Sequence, residues 1–292
     1  MRFSRIGSCF IIIGAYLLIR LTPIAIRSGF KSPILALIIS ILLTAVTMLI
    51  QLAYAASIVR LRLKPSKAAL IALGSGLIVT VILYVPGRYV HNAAFFHSPI
   101  GILTGFSLSL LKDIFLILFA ATLGYLVSFI VREPNILLPA AFFAGIVDYW
   151  GVTSGPVAHW LDKAPGVVSK ASVHMPPVVV QTASKVHVIE SMIGMGDFLF
   201  FALFMGVLYR FNMNVKGSFW FGYGLLTAFM LLVTFSSWNI AIPALVPMGV
   251  AILATNAKNF NLKREELLAI VYVGILLLVG LLVAWFVMHK KL

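Results

Sequence analysis

Eight carboxylates are the whole acidic complement of a 292-residue chain in which hydrophobic residues make up 62%. Two of them, Asp148 and Asp197, lie inside apolar blocks, FFAGIVDYWGV and MIGMGDFLFF. An ionisable group at the centre of a membrane helix costs about 2.5–3.5 kcal/mol on insertion scales. Such residues therefore face a bundle interior or a wet cavity, and they are functional candidates by default. The other six read differently. Glu133, Asp162, Glu265 and Glu266 fall in connections, and Asp113 and Glu190 sit near span ends, where a carboxylate can reach the interface.

Each of the two intramembrane aspartates has a glycine three residues before it, Gly145 with Asp148 and Gly194 with Asp197. On a helix those positions share a face, and small residues let membrane helices approach closely. The spacing thus predicts two faces open to a partner helix, and the two partners can be each other. Carboxylates brought together in a low dielectric cannot both ionise, so one proton is shared. One group then acts as general base and the other as general acid, which activates water against a peptide carbonyl without a covalent intermediate. The simpler alternative is that each aspartate hydrogen-bonds a neighbouring helix as polar glue.

No other chemistry competes strongly. The histidines number six and are mostly in connections or near the C-terminus, with His159, His174 and His187 spread over one long connection. No Ser–His pair is expected from the sequence, and no H-E-x-x-H motif occurs in it. Cys9 is single, so no intrachain disulfide framework or thiolate metal site is expected. The reading needs neither metal nor cofactor.

The elements that must position these residues are apolar helices. Charged residues are 10% of the chain and mean hydropathy is +1.09, whereas soluble domains are about a quarter charged. The net charge of +14 is scattered among connections, where Lys and Arg anchor spans and set topology, with no compact basic cluster that would suit nucleic acid. Blocks long enough to span lie near 7–27, 33–59, 68–86, 113–131, 135–155, 187–209, 217–238, 240–257 and 266–288. These predict an all-α polytopic membrane protein with nine spans. The stretch 99–112 is open between an extension of the fourth helix, an interfacial segment and a tenth span. Beside it, Lys112 and Asp113 can pair locally. Arg20 interrupts the first apolar run, which is read as a retained span. The basic run RLRLKPSK, Arg60 to Lys67, is placed on the cytoplasmic side.

The longest connection runs from about Gly155 to Val186 and contains Pro156, Pro165, Pro176 and Pro177. Within it PPVVVQT predicts a short extended stretch, since a β-branched run follows two prolines. Farther on, SSWNIAIPALVPMGV places Pro243 in a first helical turn. Pro247, four residues later, is expected to remove a backbone hydrogen bond and kink the start. Unpaired backbone at membrane depth must be buried in protein or line a wet cavity, so this segment is expected to open onto the cavity of the aspartates.

Together these residues carry a resemblance. Gly194-Met195-Gly196-Asp197, followed by Phe198-Leu199-Phe200, resembles the G-x-G-D segment of the presenilin and signal peptide peptidase family of intramembrane aspartyl proteases. Pro243-Ala244-Leu245 looks like that family's P-A-L motif, with one apolar span, 217–238, between the two. Asp148 precedes G-x-G-D by one long connection, as the family's first aspartate does. The resemblance covers residues from about 140 to 257. Two features depart from the family pattern: Val147 precedes Asp148 where the family has tyrosine, with Tyr149 following, and an apolar span, 266–288, follows P-A-L.

The resemblance implies a presenilin-like bundle that hydrolyses transmembrane helices of other membrane proteins, with Asp148 and Asp197 catalytic. Gly145, Tyr149, Gly194 and Gly196 would support the site. A helical substrate must unwind to expose its carbonyls, and an edge strand can hold it by β-addition. Val178, Val179 and Val180 are the candidate edge, with Pro243, Ala244 and Leu245 on the other side. The chain is thus divided into N-terminal helices (1–134), a catalytic core (135–257) and an extra C-terminal helix (258–292), in the plasma membrane of a prokaryote. Partners are substrate helices and the bilayer. Rival readings are an ion- or proton-coupled carrier, whose intramembrane carboxylates lie beside broken helices, and a catalytically inactive membrane chaperone of the same fold. A prepilin-peptidase-like enzyme shares G-x-G-D but lacks the P-A-L segment.

Overall fold

A computed structural model describes residues 2–26, 33–89, 99–176, 178–181, 186–189, 192–235, 243–261 and 263–289. The chain is mostly helical. The first four helices are α1 (Arg2–Ile26), α2 (Pro33–Arg60), α3 (Pro65–Tyr89) and α4 (Pro99–Ser128). Next come α5 (Leu137–Thr153), then two short helices, α6 (Pro156–Lys163) and α7 (Pro165–Lys170). Four short strands follow: β1 (Ser172–His174), β2 (Val178–Gln181), β3 (Val186–Ile189) and β4 (Met192–Gly194). The rest is α8 (Met195–Arg210), α9 (Val215–Phe235), α10 (Leu245–Asn256) and α11 (Arg264–His289).

Five helical segments among the described residues are long and apolar enough to cross a membrane: Leu37–Arg60, Pro65–Tyr84, Gly105–Ser128, Pro134–Lys163 and Val215–Leu232. The chain is therefore built as a membrane protein, and its side chains are sorted accordingly. Along α3, Leu70, Leu73, Leu77 and Val81 are exposed while Ala68, Ala72 and Ser75 are buried. Large apolar groups point outward and small ones inward, the arrangement expected where the solvent is lipid and helices pack through small residues.

The stretch 99–112 belongs to α4, one continuous helix running to Ser128. Of the three options open in the sequence, extension of the fourth helix is the one observed. The block 187–209 is corrected. It is helical only from Met195, because Val186–Ile189 and Met192–Gly194 are strands with partners in the preceding connection. The extended stretch expected after Pro176-Pro177 is β2.

The chain forms two compact units. One comprises residues 1–128 and 169–206, the other residues 129–168 and 207–292, so the segment 135–257 contributes to both. In the first unit α2 packs on α1, α4 and β2, α3 packs on α4, and β1 lies against α4. β1 pairs antiparallel with β4, Ser172 opposite Gly194 and His174 opposite Met192. β2 and β3 form a separate antiparallel pair, Val178 opposite Ile189 and Gln181 opposite Val186. In the second unit α10 packs on α5 and α9, and α11 touches α5.

Glycines set the closest approaches. Within the first unit a methyl group on Gly124 of α4 would overlap the carbonyl oxygen of Leu199 in α8. One on Gly206 would stand 2.6 Å from the Ser128 hydroxyl. α8 fills the space that these glycines leave, and Phe198, Phe201, Ala202 and Phe204 are all buried. Gly124→Ala is expected to cost at least about 1–3 kcal/mol, because the obstacle is backbone and cannot rotate away. Thermal melts in detergent should place Gly124→Ala well below wild type. Gly74→Ala, where nothing lies within 4 Å, should melt at or above wild type because alanine favours the helix.

Candidate functional site

Asp148 lies on α5, near the C-terminal end of an apolar helix, and is half-buried. Its Oδ2 accepts the backbone N–H of Leu245 at 2.9 Å. Leu245 is the first residue of α10, and Ala244 is its N-cap. The first turn of a helix has N–H groups without intrahelical partners, together with the positive end of the helix dipole. A carboxylate there satisfies one donor and gains from the dipole. Gly145, one turn before Asp148, brings α10 close: a Cβ there would meet Val246 Cα at 3.6 Å and the Leu245 oxygen at 3.9 Å. One turn earlier the same contact is repeated from the other side, where a Cβ on Gly249 would lie 3.1 Å from the Ala141 oxygen.

Every first-turn donor of α10 is accounted for. Leu245 N–H goes to Asp148, Val246 N–H to the Pro243 oxygen at 3.3 Å, and Met248 N–H to the Ala244 oxygen at 3.3 Å. Position three is Pro247, which has no N–H to satisfy. The expected kink is therefore corrected. The helix begins at Leu245, two residues beyond Pro243, so Pro247 falls where its missing donor costs nothing. Pro243, Ala244 and Leu245 are all buried.

Asp197 also belongs to a helix start. It lies in the first turn of α8, and its Oδ2 accepts the N–H of Gly194 at 3.0 Å. This is the reaching-back half of a capping box, in which a side chain three residues into a helix satisfies the donor of the residue before it. Gly194 is the last residue of β4, not a helical residue sharing a face with Asp197. A Cβ added to Gly194 would lie 3.3 Å from the Asp197 carboxylate, so the space beside this glycine is taken by the aspartate itself. Nothing lies within 4 Å of a Cβ on Gly196, which is exposed. The close approach expected at Gly145 is present, but its partner is α10; the helical approach expected through Gly194 is not what that residue provides.

The remaining expected residues are placed as follows. Tyr149 is 58% exposed and Val147 45% exposed. Val178, Val179 and Val180 form β2, paired with β3 along one edge and lying against α2. Glu190 lies outside the described residues. Asp148 belongs to the second compact unit and Asp197 to the first.

A second polar cluster was not assembled from the sequence. Asp113 is fully buried within α4, not near a span end as its position suggested. Its Oδ2 accepts from Arg20 Nη2 at 2.7 Å and from the Tyr16 hydroxyl at 3.2 Å. Lys112 Nζ stands 3.3 Å from its Oδ1, so the local pair expected from the sequence is present and extends to Arg20. The misplacement has a clear cause. Residues 99–112 prolong the helix by more than three turns, which moves Lys112 and Asp113 from an end to the interior. The signal for the cluster was Arg20, a lone cation interrupting the first apolar run.

No protein-family model, curated protein or solved structure matches this chain.

The Asp148–Leu245 contact makes a prediction of its own. Asp148→Asn keeps an oxygen acceptor and should leave α10 anchored, whereas Asp148→Leu strands a buried N–H at a cost of about 1–3 kcal/mol. Amide exchange in the segment 243–249 should be markedly faster in the leucine variant than in the asparagine variant. Equal rates would mean that the contact contributes nothing.

Proposed function

We propose that this chain is an intramembrane aspartyl protease that cleaves transmembrane segments of other membrane proteins. Asp148 and Asp197 act as the proton-sharing pair that activates water. The observation that carries the reading is the hydrogen bond from Leu245 N–H to Asp148. It joins the first aspartate directly to the Pro243-Ala244-Leu245 segment, two elements 95 residues or more apart in sequence that the resemblance requires in one site. A merely structural polar residue at position 148 had many helices to bond, and the one it bonds is this one.

Both aspartates draw a donor from backbone at the mouth of a helix. Backbone donors fix each carboxylate's orientation, which positioned acid and base work requires. In this reading the apolar blocks, the sixth of them helical only from Met195, make up a presenilin-like bundle in the plasma membrane of a prokaryote. α8 is preceded by strand and α10 by a turn, and such backbone at membrane depth needs a protein-lined or wet cavity. β2 has a strand on only one edge among the described residues, and the other edge is offered to an unwound substrate.

Cleavage of a single-span substrate by the purified protein in detergent or vesicles tests the reading. Asp148→Ala and Asp197→Ala should each abolish cleavage, a loss of at least about 1,000-fold, while the protein still elutes and melts as a folded species. Proton- or ion-driven uptake by vesicles, with no cleavage by wild type, would instead mark a carrier. Val179→Pro should reduce cleavage while both aspartates stay intact, since proline cannot sit within a paired strand without losing a donor. Unchanged cleavage by that variant would remove β2 from the substrate path.

A further inference from the structure

We propose that Lys112 is a positioning residue for Asp197, acting through the β1–β4 ribbon; this rests on the protease reading for its kinetic consequence but not for its structural one. Lys112 is a charged side chain in the interior of an apolar helix, and its side chain is only 8% exposed. Taking an ammonium out of water costs several kcal/mol unless its donors are satisfied. Here they are satisfied chiefly by the strand segment. Lys112 Nζ donates to the Ser172 carbonyl at 2.8 Å and to the Ser169 carbonyl at 3.3 Å, and lies 3.2 Å from His174 Nδ1.

An ammonium has no lone pair, so His174 Nδ1 is the acceptor in that contact and its proton sits on Nε2. That nitrogen lies 2.9 Å from the Ser169 hydroxyl, to which it donates. Three points of the segment 169–174 are thus tied to one amine. The amine is in turn held by Asp113, which Arg20 and Tyr16 clamp from α1. At the far end of the same strand, Gln51 of α2 donates to the His174 carbonyl at 3.3 Å.

From β1 the constraint passes to the aspartate in two steps. Ser172 is paired with Gly194, and the Ala171 carbonyl accepts the N–H of Met195 at 3.0 Å, the first residue of α8. The Gly194 amide so fixed is the one that donates to Asp197. Lys112 therefore sets the plane of the peptide that orients the carboxylate. Packing alone would be served as well by an apolar residue, since a buried ion pair replaced by well-packed hydrophobic side chains is often neutral or stabilising.

The test is Lys112→Met in the full-length protein, read in two ways. Amide exchange in 171–175 and 192–197 should quicken by about 10- to 100-fold, the loss expected for a charge-assisted hydrogen bond. Exchange in α10, which belongs to the other compact unit, should stay at the wild-type rate. Turnover of a cleaved substrate should fall by about 10- to 100-fold with KM within about twofold, as for a misplaced catalytic group. Should Lys112→Met not yield folded protein, Lys112→Gln, neutral but still a donor, is read for the same quantities. Unchanged exchange in the ribbon, or an increase spread evenly over the first unit, would overturn the proposal. If wild type cleaves nothing, the protease reading fails by itself, and the exchange result still decides whether Lys112 holds the ribbon.

Discussion

A carboxylate in an apolar span must find hydrogen-bond donors, and in this chain two of them find backbone. Asp148 takes the first N–H of α10 and Asp197 takes the N–H that opens α8. Helix starts are the few places in such a protein where unpaired backbone donors and a favourable dipole occur together. Much of the local architecture follows from this need. α5 must meet the beginning of α10 rather than its middle, and the strand segment must deliver Gly194 within reach of Asp197.

Glycines and alanines make those meetings close. On the α5–α10 contact, Gly145 and Gly249 bring backbone against backbone in the two turns next to the Asp148 carboxylate. In the other unit Gly124 and Gly206 let α4 and α8 approach until a single methyl group would collide. The resulting burial of Phe198, Phe201 and Phe204 fixes the rotation of α8 about its axis. The carboxylate at its start is therefore not free to turn. Asp113, the fully buried acid, follows the other solution. It is paired with cations, and its network reaches the strand that leads to α8.

What could be read from residues alone divides along physical lines. Asp148, Asp197 and the P-A-L segment were legible because polar groups in an apolar chain are costly and few. The extended stretch at Val178 to Gln181 was legible because a β-branched run after two prolines has few other conformations. The start of α8 was not legible. Val186 to Gly194 is as apolar as the helix that follows, and only pairing partners turn Val186–Ile189 and Met192–Gly194 into strand. The kink expected at Pro247 failed for a similar reason. A proline's effect depends on its distance from the true helix start, and that start was set by Asp148 from 97 residues away. Asp113 was misread because hydropathy located the apolar block but not the end of the helix.

The central claim is that Asp148 and Asp197 work as one pair. The most direct test removes the native thiol with Cys9→Ser, introduces Asp148→Cys and Asp197→Cys together, and treats the membrane-embedded protein with mercury(II) in the presence of a substrate helix. The account predicts an intramolecular bridge that protects both thiols from alkylation, and no such protection in either single-cysteine variant. Thiols that alkylate independently in the double variant, with the protein folded, would contradict it.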